Sequence, residues 1–367
     1  MKKLLQIILK PALLVATWLL ILGTTVFFAT RNSPEISFPY YNTDLANNYS
    51  QIASVPAHFD GIHYLRIARY GYKDVGTQAF FPLYPILIRA LTPFTPSPLF
   101  AGVLISIISL IIAFIGLRRL FPTSLHPIPY LLLFPTSFFF LALYTESLFL
   151  ALSIWFFLML KQKRWLLAAI IAAFASGTRL VGSLLAVSLV IEYLTVHKLR
   201  FRLPLIPLTL VSLSGFILYT LYLNQEFSDP LMFVHVQSMF GANRTTDSLI
   251  MLPQVIYRYL KMFLTVPFFS TLSARIYLEF ASFIGASYLL IKYWRSRTHS
   301  LNSYLTLSLI LPTLTGTLSS VPRYILILLP FILPDSTSLR TRIITQTLSL
   351  VFLVYFLSQF ALGIFVA

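Results

Sequence analysis

The chain contains no cysteine, which excludes disulfide bridges, a thiolate nucleophile and Cys-ligated metal sites together. Charge is scarce as well: 10% of the 367 residues are charged, and acids are the rarer kind, 11 against 27 bases. With 57% hydrophobic residues and a mean hydropathy of +0.82, so few charged groups cannot cover the surface of a water-soluble fold. No Gly-rich loop follows a strand pattern, so no nucleotide-phosphate cradle of the usual kinds is present. The six His are scattered, with one close pair at His58 and His63, a poor basis for a metal centre. What the chain has in quantity is long apolar runs.

A helix needs about 20 apolar residues to cross the hydrocarbon layer, and about 11 such crossings can be read here. They fall at residues 11–30 and 90–117, twice within 120–160 with a turn at "YTES", and twice within 165–194 with a hinge at Arg179. Further crossings lie near 203–223, 272–291, 301–318, 321–334 and 343–365. The expected fold is therefore an all-α polytopic membrane protein, with residues 1–367 forming a single transmembrane domain. Residues 11–30 are too long an apolar run for a signal peptide and lack a clear small-residue cleavage site, so they read as an anchor.

Placing the N-terminus in the cytoplasm puts segments 1–10, 118–119, 161–164, 198–202, 292–297 and 340–342 on the inner face, with sixteen of the 27 bases. Only Glu192 and Asp335 accompany them, so the net +16 resolves into +14 inside and +2 outside. That asymmetry is the positive-inside pattern of a membrane protein and calls for no nucleic-acid partner. It also leaves the carboxylates mostly outside: Glu35, Asp44, Asp60 and Asp74 in the first loop, Glu146 at a turn, then Glu226, Asp229 and Asp247. Chemistry that depends on carboxylates belongs on the outer face. For the later basic loops to stay inside, "FFPLYPILIRALT" must lie in the interface rather than cross.

The first outer loop, residues 31–97, carries the densest polar cluster, "HFDGIHYLRIARYGY" at residues 58–72. It reads as a helix of about ten residues with Asp60 as N-cap and Gly71 as the C-terminal stop. Ile62, Leu65, Ile67 and Ala68 give it an apolar side, while His63, Arg66 and Arg69 face elsewhere. In the plainer reading this is an amphipathic interfacial helix whose Asp caps it. In the sharper one Asp60 is a general base that takes a proton from a sugar hydroxyl while cations steady a phosphate leaving group. A capping residue is rigidly placed, so the two readings are compatible.

Taken in order, "HFDGIHYLRIARYGY", "AFFPLYP", "FPTSFFFLALYTESLFL", "SGTRLVG" and "SSVPRYILILLP", spanning residues 58–334, resemble the PIG-V-like mannosyltransferases of the GT-C superfamily. The namesake of that family adds the second mannose of the glycosylphosphatidylinositol anchor. One departure is visible: the family usually has Trp before the loop Asp, whereas this chain has Phe59. The resemblance implies a GT-C-like bundle with a long first extracytoplasmic loop carrying interfacial helices. It implies inverting transfer of a sugar, mannose in the best-known members, from a polyprenyl-phosphate donor to a glycan or glycolipid acceptor on the extracytoplasmic face. By that analogy Asp60 is the base, and neither cofactor nor metal is required.

Candidates for the phosphate are Arg179, which interrupts a helical pair, and Arg323, which follows Pro322, with Arg66, Arg69 and His63 behind them. An arginine near lipid costs about 3 kcal/mol to insert unless an anion compensates it. For Arg179 the alternative is an ion pair with Glu146; for Arg323 it is snorkelling to the interface. Glu146 either binds the acceptor's hydroxyls or accepts backbone N–H groups at a helix start. Tyr84 of "AFFPLYP" sits with Phe80 and Phe81 at headgroup level, or contacts sugar or prenyl chain. Asp229 before Pro230 reads as a turn former, and Arg275 and Glu279 as an intrahelical pair. The rival functions are a transporter or flippase for a lipid-linked or anionic substrate, and a noncatalytic scaffold. A transporter favours ionisable residues at the bilayer midplane and internal repeats, and neither is evident. Compact loops point to a bacterial or archaeal plasma membrane.

Overall fold

The computed structural model describes residues 2–31, 36–122, 127–198, 200, 203–241, 244, 249–333 and 338–367, with side chains from residue 13 onward. Glu35, His126, Arg202, Asp247 and Asp335, which entered the charge and histidine readings, lie outside the described residues. All regular elements among the described residues are helical. In chain order they are α1 (Lys2–Arg31), α2 (Gln51–Ser54), α3 (Asp60–Tyr70), α4 (Leu83–Leu91) and α5 (Pro98–Leu120). There follow α6 (Pro127–Leu133), α7 (Glu146–Lys161), α8 (Trp165–Ser176), α9 (Leu184–Val196), α10 (Leu205–Phe227) and α11 (Met232–His235). The last are α12 (Leu252–Thr265), α13 (Thr271–Lys292), α14 (His299–Ile310), α15 (Val321–Ile332) and α16 (Leu339–Ala361).

Five of these are long and apolar enough to cross a bilayer: Leu13–Arg31, Pro98–Leu120, Leu205–Phe227, Thr271–Lys292 and Leu339–Ala361. At 1.5 Å per residue a 23-residue helix such as α5, α10 or α16 is about 34 Å long, enough for a hydrocarbon core of about 30 Å. Their surfaces fit the same solvent. Leu20 and Phe28 on α1, Leu210 and Leu218 on α10, and Val351 and Phe352 on α16 are all exposed, an arrangement that suits helices surrounded by lipid. Thr17, Thr25, Thr30, Thr209 and Ser212 donate their hydroxyls to the carbonyl four residues back, so these polar groups are satisfied within their own helix. The protein is a membrane-embedded helical protein.

The remaining six crossings expected from hydropathy correspond to α6, α7, α8, α9, α14 and α15, of 7 to 16 residues. Each is shorter than a span. The apolar runs are broken by tight turns at Ser137–Phe140, Leu180–Ser183 and Leu311–Thr315, and a hydropathy window averages across such breaks without registering them. Arg179 does stand at a hinge, extended between α8 and the turn before α9.

The chain is organised in two compact units. The first comprises Met1–Lys73, Leu83–Leu158 and Pro334–Val366; the second comprises Asp74–Pro82, Met159–Leu333 and Ala367. In the first, α1 packs on α5 and α16, and α4 on both α3 and α5. In the second, α8 packs on α9 and α10, α9 on α14, and α15 on α13 and α14. The α8–α10 seam is made of small residues: a Cβ at Gly215 would stand 2.2 Å from the Ala173 carbonyl oxygen, and the Phe216 amide donates to Ser176 Oγ at 3.2 Å. Close backbone approach is how helices associate where lipid removes the hydrophobic drive.

Candidate active site

The 58–72 segment forms the expected helix, α3, which ends at Gly71 with φ 75° as a C-terminal stop requires. Ile62, Leu65, Ile67 and Ala68 are buried, and His63, Arg66 and Arg69 lie at the partly open face. Its start differs from expectation. Asp60 is not the N-cap but the first helical residue, and the position before it is held by Phe59 at φ 53°, ψ −113°. A residue with a Cβ occupies that conformation at a cost on the order of 1–3 kcal/mol, and such strain persists only where surroundings enforce it.

The surroundings are visible. The Phe59 ring stacks on Phe38 at 4.7 Å and meets Phe360 at 5.5 Å and Phe365 at 5.6 Å. His58 is fully buried, and its Nδ1 lies 3.0 Å from the Phe360 carbonyl oxygen; a carbonyl only accepts, so Nδ1 carries the proton. The Tyr144 hydroxyl donates to the His58 carbonyl at 3.0 Å and accepts from the Asp60 amide at 3.2 Å. The Leu143 amide donates to the Pro56 carbonyl at 2.8 Å. With the Gly61 amide bonded to His58 O and the Ile62 amide to Phe59 O, the donors opening α3 are satisfied by the Tyr144 hydroxyl and by backbone, without a side chain from the N-cap position. The Asp60 carboxylate, half-buried, sits at the positive end of the helix.

The basic neighbours are less available than their spacing implies. Arg66 pairs with Asp44, lies 4.1 Å over the Tyr40 ring and is mostly buried. Arg69 donates to Tyr49 at 3.3 Å, and His63 meets the Tyr40 ring edge-on at 5.8 Å. Arg66 and Arg69 therefore tie α3 to the segment preceding it. Tyr84 is enclosed by protein: it is 0% exposed, with its hydroxyl bonded to Gly102 O at 3.0 Å and Ser106 Oγ at 2.9 Å and its ring against Tyr64 at 5.2 Å. Phe81, likewise buried, packs on Tyr219 at 4.9 Å and Phe233 at 5.5 Å. Glu146, also 0% exposed, opens α7 in its first turn, the placement expected of an acid supporting a helix start.

Arg179 and Arg323 belong to the second unit, where Tyr324 links them: the Arg179 guanidinium lies 4.6 Å over its ring. Arg323 is 6% exposed in the first turn of α15, behind Ser320 at φ 69°. Arg244, which the spacing did not single out, donates to Ser320 Oγ at 3.2 Å and to Gln237 at 3.0 Å. Arg244 thus reaches the residue that precedes α15, the helix whose first turn carries Arg323. Asp229 is the expected turn former, accepting from the Leu231 amide at 3.0 Å, and Arg275 and Glu279 pair at 3.7 Å.

No protein-family model, no curated protein and no solved structure matches this chain. The reaction is therefore inferred from the chemistry of the site. Spacing led to Asp60 but not to Tyr144 or to the aromatic wall of Phe38, Phe360 and Phe365. Tyr144 stands two residues before Glu146 in "YTES", and only the fold brings its hydroxyl to Asp60.

Proposed function

We propose that the protein is a membrane glycosyltransferase that moves a sugar, mannose by the family resemblance, from a polyprenyl-phosphate donor to a glycan or glycolipid acceptor with inversion. In this reading it is a PIG-V-like member of the GT-C superfamily, with the shorter apolar helices completing about 11 crossings and Asp60 on the outer face. The observation that carries the proposal is a half-buried carboxylate at the start of α3, presented by a strained Phe59 inside an aromatic wall. Strain of this kind collects at functional sites.

Asp60 accepts the proton of the acceptor hydroxyl, which attacks the anomeric carbon from the face opposite the phosphate. The C–O bond to the lipid phosphate breaks, and the phosphate departs as an anion. Cations that meet this charge as it develops lower the barrier. Phe59 stands where the family usually has Trp and keeps an aromatic face next to the base. Glu146 and Tyr84, sealed in the first unit, support the scaffold.

The test is transfer from radiolabelled polyprenyl-phosphate mannose in membranes containing the wild-type chain or Asp60→Asn. The substitution keeps the side chain's shape and removes its basicity. Removing a general base lowers the rate about 10²–10⁴-fold, so wild-type transfer by Asp60→Asn would overturn the proposal. A chain that instead moves an intact lipid-linked sugar across vesicles, with no new glycosidic bond, is a flippase.

A further inference from the structure

We infer that Tyr144 is the positioning residue of this site: it sets the direction of the Asp60 carboxylate by clamping the strained Phe59 from both sides. The inference rests on the transferase reading for the reaction it affects, and on first-unit geometry for the contact itself.

A phenol has one proton to give and two lone pairs. Tyr144 donates the proton to the carbonyl of His58 at 3.0 Å and accepts the amide of Asp60 at 3.2 Å, so one oxygen atom bridges the residues on either side of Phe59. At φ 53° and ψ −113° a phenylalanine left to itself relaxes by turning the flanking peptides. Turning either one breaks a bond to Tyr144. The neighbouring Leu143 amide secures the same loop at Pro56 O, 2.8 Å away, so two consecutive residues before α7 grip the approach to α3.

The clamp is itself well held. Tyr144 is 1% exposed, with its ring 4.9 Å from Phe139 and 6.5 Å from Phe360. A side chain so enclosed acts through Asp60. Aligning a reacting group is a large part of catalysis, and a misplacement of about 1 Å costs up to about 10²-fold in rate. Removing only the hydroxyl, by Tyr144→Phe, keeps the packing and frees the loop.

The experiment uses the full chain in lipid nanodiscs, with polyprenyl-phosphate mannose as donor. Tyr144→Phe is expected to lower kcat about 10–100-fold with KM for the donor within about twofold, because alignment and not donor binding is lost. Glycine takes positive φ without a Cβ penalty, so in a Phe59→Gly background the same Tyr144→Phe change is expected to cost no more than about threefold. An activity-independent arm reads amide hydrogen exchange over residues 58–62, expected to speed up about tenfold in Tyr144→Phe. Unchanged kcat, an equal loss in both backgrounds, or unchanged exchange overturns the clamp. Loss of transfer in Asp60→Asn beside a wild-type kcat in Tyr144→Phe overturns the clamp alone. Wild-type transfer in Asp60→Asn overturns the base, and the exchange arm then decides the clamp by itself.

Discussion

Two helices of the first unit open on an acid, α3 on Asp60 and α7 on Glu146, and the two starts are built differently. In both the carboxylate occupies the first turn, where the helix dipole favours it by about 0.3–1 kcal/mol. Glu146 is sealed from solvent, so its carboxyl faces only protein. Asp60 is half-buried, follows a residue in a strained conformation, and has its amide held by a phenol from elsewhere in the chain. The same local signal, an acid at a helix start, is thus enclosed in one place and partly open in the other. What separates them is accessibility and stored strain, and neither is a property of the residue type.

Exchanging carboxylate for amide at each position tests this most severely. Asp60→Asn is expected to lower transfer about 10²–10⁴-fold, whereas Glu146→Gln leaves kcat within about fivefold, a range set by a structural role; initial rates at saturating donor measure both. The order reverses for stability. Truncating sealed Glu146 to Ala is expected to lower unfolding free energy by about 1–3 kcal/mol, against no more than about 1 kcal/mol for Asp60→Ala, read from denaturant midpoints in one detergent. The smallest expected effect sharpens the role of the basic residues. Asp44→Asn weakens the partner of Arg66, so stability falls by about 1 kcal/mol with kcat within about twofold. A large loss of transfer in that variant would show Arg66 acting on substrate rather than tying α3 in place.

The membrane class, the five long helices, the Asp60 helix with its Gly71 stop and the hinge at Arg179 were all legible from hydropathy and local pattern. These features depend on residues close together in the chain. Of the about 11 crossings expected from hydropathy, five stand as single long helices, and turns such as Ser137–Phe140 and Leu311–Thr315 divide other apolar runs into shorter helices. Pattern also read Tyr84 as an interfacial aromatic and could not show that its hydroxyl is bonded to Gly102 and Ser106 inside the fold. An aromatic residue beside prolines reads the same in either environment.

By itself, then, the sequence determined the solvent, the helices and the acid that opens α3, because composition and near-neighbour spacing suffice for these. Tertiary structure alone decided that Phe59 is strained, that Tyr144 bridges it, that Arg66 is committed to Asp44, and that Arg244 joins Arg323 at the start of α15. Each of these contacts joins residues far apart in the chain. Hydrogen bonds and ring contacts act over a few ångströms in space, and which distant residues come within that range is set by how the helices pack.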